Sequence, residues 1–215
     1  MKVHEANAAI TALRDLGAAT VHEAHGCRGA LSAAIKPIDI NCRLGGRALT
    51  VDAAPGDNLI LHHALTKARP GDVLVVDAKG YLEAGPWGDI LSEAAMLRGL
   101  SGLVIDGAVR DAAAIEEMGF PVFCRGLSIR GTGKNQPGVI GQPIVVGGTL
   151  VRTGDVIIGD RDGVVVVAAE ETDAVVDRAR QRAEKETAFR ASLREGRTTV
   201  ELLALEATIE RLGLR

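Results

Sequence analysis

The sequence predicts a layered α/β fold in which an alternating first half gives way to a β-rich second half. Two patterns carry that expectation. Val73–Asp77, Leu103–Ile105 and Pro121–Cys124 are short apolar runs, and helical segments at 90–98 and 112–118 separate them. Uninterrupted apolar runs suit strands covered on both faces and joined by right-handed β-α-β crossovers. Farther along, Ile144–Val146, Val156–Ile158 and Val164–Val167 are separated only by turns, at Gly147-Gly148, Thr153-Gly154-Asp155 and Asp160–Gly163. The mixture argues for stacked layers of sheet and helix over a pure doubly wound sheet.

The elements follow in order. Residues 5–16 place Ala, Ile and Leu at helical spacing, and Gly17 stops that helix. Thr20 suits the cap of a short helix through Ala24. His22, Glu23 and His25 lack the i, i+4 histidine spacing of a helical metal site, so a structural role is expected there. Lys36–Asn41 and Gly46–Val51 read as short strands, with Gly45-Gly46 a turn or a close backbone approach. Pro55-Gly56-Asp57-Asn58 is a turn that caps a helix over Leu59–Ala68, and Pro70-Gly71-Asp72 feeds the first apolar strand. His62 and His63 lie on that helix, where one could face a ligand, although a histidine on a partly apolar helix is more often packed and hydrogen-bonded. Gly131-Thr132-Gly133-Lys134 is glycine-rich and basic but lacks the rest of a P-loop, so it reads as a loop, with contact to an anion as the lesser alternative. Residues 170–194 form a long polar helix with a narrow apolar stripe of Val175, Val176, Ala179, Ala183, Phe189 and Leu193. Gly196 ends it, and a last amphipathic helix spans 198–212. The expected organisation is one α/β catalytic domain over 1–169 and a helical arm over 170–215 that packs on a neighbouring subunit.

The chain has 215 residues, 47% of them hydrophobic and only 2% aromatic, so its core must be built from Val, Ile, Leu and Ala. A net charge of −3 gives no electrostatic reason to expect nucleic acid, and scarce aromatics argue against a base-stacking surface. Cys27, Cys42 and Cys124 have no paired spacing and are odd in number, which favours free thiols in a reducing cytoplasm. No signal peptide is visible, and no segment is apolar for long enough to span a bilayer.

Two stretches carry the chemistry. Gly85-Pro86-Trp87-Gly88-Asp89-Ile90-Leu91 is a glycine-rich loop opening a helix, and Gly107-Ala108-Val109-Arg110-Asp111 ends a strand with a cation beside an anion. A helix start offers unpaired N–H groups and the positive end of the dipole, which suit a carboxylate. Arg110 offers a planar fork for a carboxylate or an enolate oxygen. Asp111 and Asp89 suit a hard divalent cation or its water shell. The same residues also have ordinary readings: Asp89 and Asp111 as N-caps, Arg110 in a surface ion pair. Together, at one rim of an α/β layer, they describe a pocket for a small oxo-acid and a metal.

These stretches, with Ala19–Ala24, Pro55–Asn58, Pro70–Val76, Gly119–Phe123 and Gly154–Val164, resemble the class II pyruvate aldolases that cleave 4-hydroxy-4-methyl-2-oxoglutarate and 4-carboxy-4-hydroxy-2-oxoadipate. Those enzymes share a superfamily with the regulator of ribonuclease activity A. The resemblance covers nearly the whole chain. It implies an α/β/β sandwich like the phosphohistidine swivelling domain, in homotrimers or homohexamers with sites between subunits. It implies that Asp111 ligates Mg²⁺ or Mn²⁺ and that Arg110 binds the pyruvoyl oxygen and stabilises the enolate. The amides of Ile90 and Leu91, with Gly88 beside them, hold the substrate carboxylate, and Asp89 orients a metal-bound water. Glu186, from a neighbour's arm, contacts that water, with Glu184 as its rival. The implied activity is retro-aldol cleavage to pyruvate together with oxaloacetate decarboxylation. The alternative is a non-catalytic, protein-binding regulator of a ribonuclease. That regulator lacks an acid at the Asp111 position and lacks the Gly-Asp-Ile-Leu loop, and this chain has both. Gly107-Ala108, where the aldolases read Ala-Gly, and the differing loop Leu82–Pro86 bear on the distal part of the substrate.

Overall fold

The structure is a computed structural model that describes the backbone from Lys2 to Leu214 and the side chains of residues 8–214. Four parallel strands form its centre: β2 (Leu44–Asp52), β3 (Asp72–Tyr81), β4 (Gly102–Val109) and β5 (Val122–Leu127). They bend into a nearly closed mixed sheet. β1 (Lys36–Pro37) pairs antiparallel with β5 at one end, and β9 (Val156–Asp160) and β10 (Gly163–Val167) continue antiparallel from β2 at the other. β6 (Val139–Ile140) adds to β2, and β7 (Ile144–Val146) and β8 (Thr149–Val151) form a separate hairpin.

The period of two in the strands sorts their side chains between layers. On β3, Leu74 and Val76 face α3 (Leu59–Leu65), α4 (Asp89–Leu97) and α5 (Ala112–Met118), where Leu61, Leu91, Ile115 and the fully buried Trp87 meet them. Val73 and Val75 face the other way, into the concave interior, with Phe123, Ile157, Val164 and Val166. Ile144, Val146 and Val151 of the β7–β8 hairpin plug that interior. On β9 and β10 the outward residues Val156, Ile158, Val165 and Val167 pack beneath α1 (Lys2–Leu16), α2 (Ala18–Ala24) and α6 (Thr172–Arg194).

A short strap, residues 29–37, closes the sheet. Its first part hydrogen-bonds the free edge of β10: Leu31 N–H donates to Val164 O at 2.9 Å and Val166 N–H to Gly29 O at 2.9 Å. Its last part is β1, on the free edge of β5. Gly29 has φ +79°, and a Cβ there would stand 2.1 Å from Val166 O, so only glycine passes so close to the strand.

Several sequence expectations change. Helix α2 starts at Ala18, because Asp160 Oδ2 accepts its amide at 2.8 Å, so Thr20 is not a cap. The strand expected over 36–41 shrinks to two residues. Gly45-Gly46 lies inside β2, where a Cβ on Gly46 would meet Gly71 O at 2.5 Å, so close approach is the right reading. β8 went unread. The last helix is broken into α7 (Thr199–Leu202) and α8 (Glu206–Leu212) at Ala204, which has φ +52°. Helix α6 is not wholly an outlying arm, since Val175, Val176 and Ala179 are buried in the chain's own third core cluster. Its second half and the tail leave their apolar side chains half-exposed or exposed. No helix among the described residues is long and apolar enough to cross a membrane.

Candidate active site at the carboxyl rim of the parallel strands

The two stretches singled out in the sequence meet at the carboxyl ends of β3 and β4. Gly85–Gly88 leaves β3 and opens α4, and Arg110-Asp111 leaves β4 and opens α5. Backbone bonds join them: Arg110 N–H donates to Trp87 O at 2.9 Å. Trp87 anchors the loop from below, stacked on Phe120 at 6.3 Å between centroids, with its Nε1–H on Ser92 Oγ at 2.7 Å. Ser92 Oγ donates in turn to Gly88 O at 3.0 Å. The loop's carbonyls are thus satisfied inward, and the first amides of α4 face the rim.

Both N-cap readings are corrected. Gly88 occupies the N-cap of α4 and Asp89 is its first helical residue. Asp111 stands at the N-cap of α5 but in the left-handed region, φ +57°, ψ +36°, and its side chain caps nothing. A non-glycine residue held there is strained, and the strain aims its carboxylate at α4 instead of at its own helix. Asp111 Oδ2 lies 3.3 Å from Arg110 Nε and 3.4 Å from Asp89 N. It reaches the helix start because residue 88 lacks a side chain: a Cβ on Gly88 would stand 2.3 Å from Asp111 Oδ2 and 3.1 Å from Arg110 Nε. Asp89 Oδ1 accepts from the Ile90 amide at 2.7 Å, so a carboxylate already occupies one of the expected anion-binding amides.

Asp111 and Asp89 offer hard oxygen donors, and the opening above Gly88 admits one of them to the positive end of α4. That donor set fits Mg²⁺ or Mn²⁺, which bind through one or two carboxylates and keep several waters. Among the described residues no three His, Cys, Asp or Glu side chains gather as a metal cage. The Arg110 and Asp111 side chains are 42% and 38% exposed. An ion pair so open is worth about 0–1 kcal/mol, so a ligand inserted between them loses little by parting them.

One neighbour of this site was not legible. The loop 130–136 folds over Arg110, with a Cβ on Gly131 falling 3.9 Å from Arg110 Nη1. Its glycine-rich, basic composition signalled a loop but not its destination. The single chain does not bring Glu186 here. Its oxygens lie 3.0 Å from Arg182 Nε and 3.5 Å from Arg190 Nη2 along α6, while Glu184 is exposed. His25, as expected, is structural: it is buried, with Nε2 2.9 Å from Glu171 Oε2.

A nearly closed mixed sheet of this topology, flanked by helices and with a glycine-gated carboxylate beside an arginine at its carboxyl rim, defines a mixed α/β protein with a candidate site at that rim. The chain belongs to the RraA-like family, described as Aldolase/RraA, which matches residues 7–166. Over 182 residues it is 38% identical to a protein of Halalkalibacterium halodurans named "Putative 4-hydroxy-4-methyl-2-oxoglutarate aldolase", covering 85% of this chain and 84% of that one. Among solved structures, an uncharacterized protein from Pseudomonas syringae superposes with a TM-score of 0.79 at 25% identity, covering 91% of this chain and 96% of that one. Streptomyces coelicolor RraAS2, described as an unusual member of the RNase ES inhibitor RraA protein family, superposes at 0.76 with 29% identity, covering 85% and 96%.

Proposed function

We propose that the protein is a divalent-metal-dependent lyase that cleaves a 4-hydroxy-2-oxo acid, of the 4-hydroxy-4-methyl-2-oxoglutarate kind, to pyruvate. The observation that carries this reading is the approach of the Asp111 carboxylate, through the opening at Gly88, to the start of α4 beside Arg110. Asp111 would hold Mg²⁺ or Mn²⁺, with Asp89 turned to its water shell. Once bound, the ion would supply Lewis-acid polarisation of the 2-oxo group. The protein's own groups do the rest. The amides of Ile90 and Leu91 bind the substrate carboxylate, and Asp89 must swing off the Ile90 amide to let it in. Arg110 donates its fork to the 2-oxo oxygen and stabilises the charge that develops there as the C3–C4 bond breaks. Meanwhile the C4 hydroxyl proton passes through water toward the Asp89 carboxylate, C4 becomes a carbonyl, and the enolate takes a proton at C3 to give pyruvate. A pyruvate enolate is also what loss of CO₂ from oxaloacetate leaves, so one site serves both reactions. The exposure of Arg110 and Asp111 leaves room for a neighbouring subunit, in a homotrimer or homohexamer, to cover the site and lend Glu186.

Pyruvate release from oxaloacetate, followed with and without EDTA and added Mg²⁺, tests the proposal. Turnover indifferent to chelation would sink the metal assignment. A panel of 4-hydroxy-2-oxo acids coupled to lactate dehydrogenase then identifies the substrate. The likeness to RraAS2 favours a second reading, a ribonuclease-binding regulator without catalysis. Capture of the ribonuclease by a protein inactive on every acid would support it.

A further inference from the structure

The two loops that build the site are tied to the same three residues, Gly56-Asp57-Asn58. Asn58 is 7% exposed, and its Nδ2 donates to Pro86 O at 2.9 Å, inside the loop that opens α4. Among the described residues its buried Oδ1 has no hydrogen-bond partner, so the donor is the one polar contact of that side chain there. Asp57 is 4% exposed and serves the other loop. Its Oδ2 accepts from the amides of Asn135 at 2.8 Å and Gln136 at 3.2 Å, while Oδ1 accepts from Leu59 N–H at 2.9 Å. The backbone of the turn completes the tie: Gly133 N–H donates to Gly56 O at 2.9 Å, and Asn58 N–H to Gly133 O at 3.1 Å. The loop held this way is the one that lies over the Arg110 guanidinium, and it meets the first loop again where Gly85 N–H donates to Arg130 O at 3.0 Å.

We propose that Asp57 and Asn58 are positioning residues for the cleavage reaction, a role that rests on the pyruvoyl reading given above. Asn58 holds the loop whose amides take the substrate carboxylate. Asp57 holds the wall over Arg110, against which the substrate beyond its pyruvoyl half must lie. One turn thereby fixes the distance between the two halves of the site. A carboxylate and a carboxamide divide this work for a chemical reason. Asp57 faces backbone N–H groups and must accept, whereas Asn58 faces a carbonyl and must donate. The Asp57 carboxyl stands below its usual range for the same reason: burial pushes it up, but the amides of Asn135, Leu59 and Gln136 and the charge of Lys134 outweigh that.

The test swaps the two functions. Asn58→Asp, nearly isosteric, replaces the donor by an acceptor against Pro86 O. Asp57→Asn replaces one accepting oxygen by a donor. Amide deuterium uptake should rise over 84–91 in the first variant and over 130–136 in the second, with the other segment close to wild type. With Mg²⁺ present, Asn58→Asp should raise KM about tenfold for pyruvate, followed by methyl-proton exchange, and for the aldol substrate alike, with a smaller change in kcat. Asp57→Asn should raise KM about tenfold for 4-hydroxy-4-methyl-2-oxoglutarate and less for pyruvate. If either variant fails to fold, by circular dichroism, the smaller Asn58→Ser or Asp57→Ser carries the same comparison. Unchanged uptake in both loops, or loosened loops with wild-type KM values, overturns the proposal. A wild-type protein that neither exchanges pyruvate protons nor cleaves any acid overturns the pyruvoyl reading instead, and deuterium uptake alone then decides whether the turn clamps the loops.

Discussion

Gly88 shapes the site by what it lacks. Its backbone is extended, φ −149°, ψ −165°, which alanine adopts without strain, yet an added Cβ would stand 2.3 Å from Asp111 Oδ2. Gly88→Ala should therefore leave stability within about 0.5 kcal/mol while displacing Asp111 from the helix start. Metal-dependent pyruvate release should fall by about 10² or more, with an unchanged melting curve. Arg110→Lys keeps the charge and loses the fork, and its kcat should fall by about 10²; near-normal rates would remove the enolate-stabilising role. Asp106 makes a different prediction. Its Oδ2 accepts from Gly147 N–H at 2.8 Å, and its Oδ1 pairs with Arg125, so β4, β5 and the plugging hairpin share one carboxylate. Burial pushes this carboxyl up, but Arg125 and the Gly147 amide outweigh it and hold the carboxyl below its usual range. A depressed folded value means stability that is present above the unfolded value of about 3.9 and lost as pH falls through the folded one. Asp106→Asn should destabilise by about 2–4 kcal/mol at pH 7 in urea titrations, and the deficit should shrink below about pH 4.

Strands and helices differed in how well they could be read. β3, β4, β9 and β10 were legible because each buries both faces, leaving an uninterrupted run of Val, Ile and Leu. β1 and β8 are two and three residues long, and their partners, β5 and β7, could not be named from local pattern. The residues that meet at the candidate site, Asp89, Arg110 and Asp111 with the Gly-rich loop, were legible as a list. The left-handed backbone of Asp111 and the loop over Arg110 were not, because they depend on contacts between elements and not on spacing along one. Helix α6 shows the same limit. Its polar composition suggested an arm, while its first two turns belong to the chain's own core. Its second half carries Glu186 between two arginines, and Arg182 also reaches Glu23 Oε2 at 3.3 Å. If this half serves a neighbour's site, mixing Asp111→Ala and Glu186→Ala subunits, each inactive alone, should restore part of the activity in co-expressed oligomers. Mixtures that stay dead would place both residues in one site or would assign the role to Glu184, which the same mixture with Glu184→Ala resolves.

At the scale of the whole molecule, the strap of residues 29–37 decides more than the curvature of the sheet. β10 reads Gly-Val-Val-Val-Val and β5 reads Val-Phe-Cys-Arg-Gly-Leu, and each has one side paired within the sheet and the other covered, among the described residues, by this strap, with Ile38 N–H adding one bond to Val122 O on β5. Uncharged, β-branched and free of proline, β10 has the composition of a strand that recruits copies of itself when its edge is bare. Leu31→Pro removes the N–H that reaches Val164 O and should uncover that edge. Warmed well below the melting temperature, the variant should form thioflavin-positive aggregates that the wild type does not, even while it still cleaves substrate when fresh. Nine residues outside the candidate site would then set how long the protein survives without aggregating, by denying a self-templating strand its first partner.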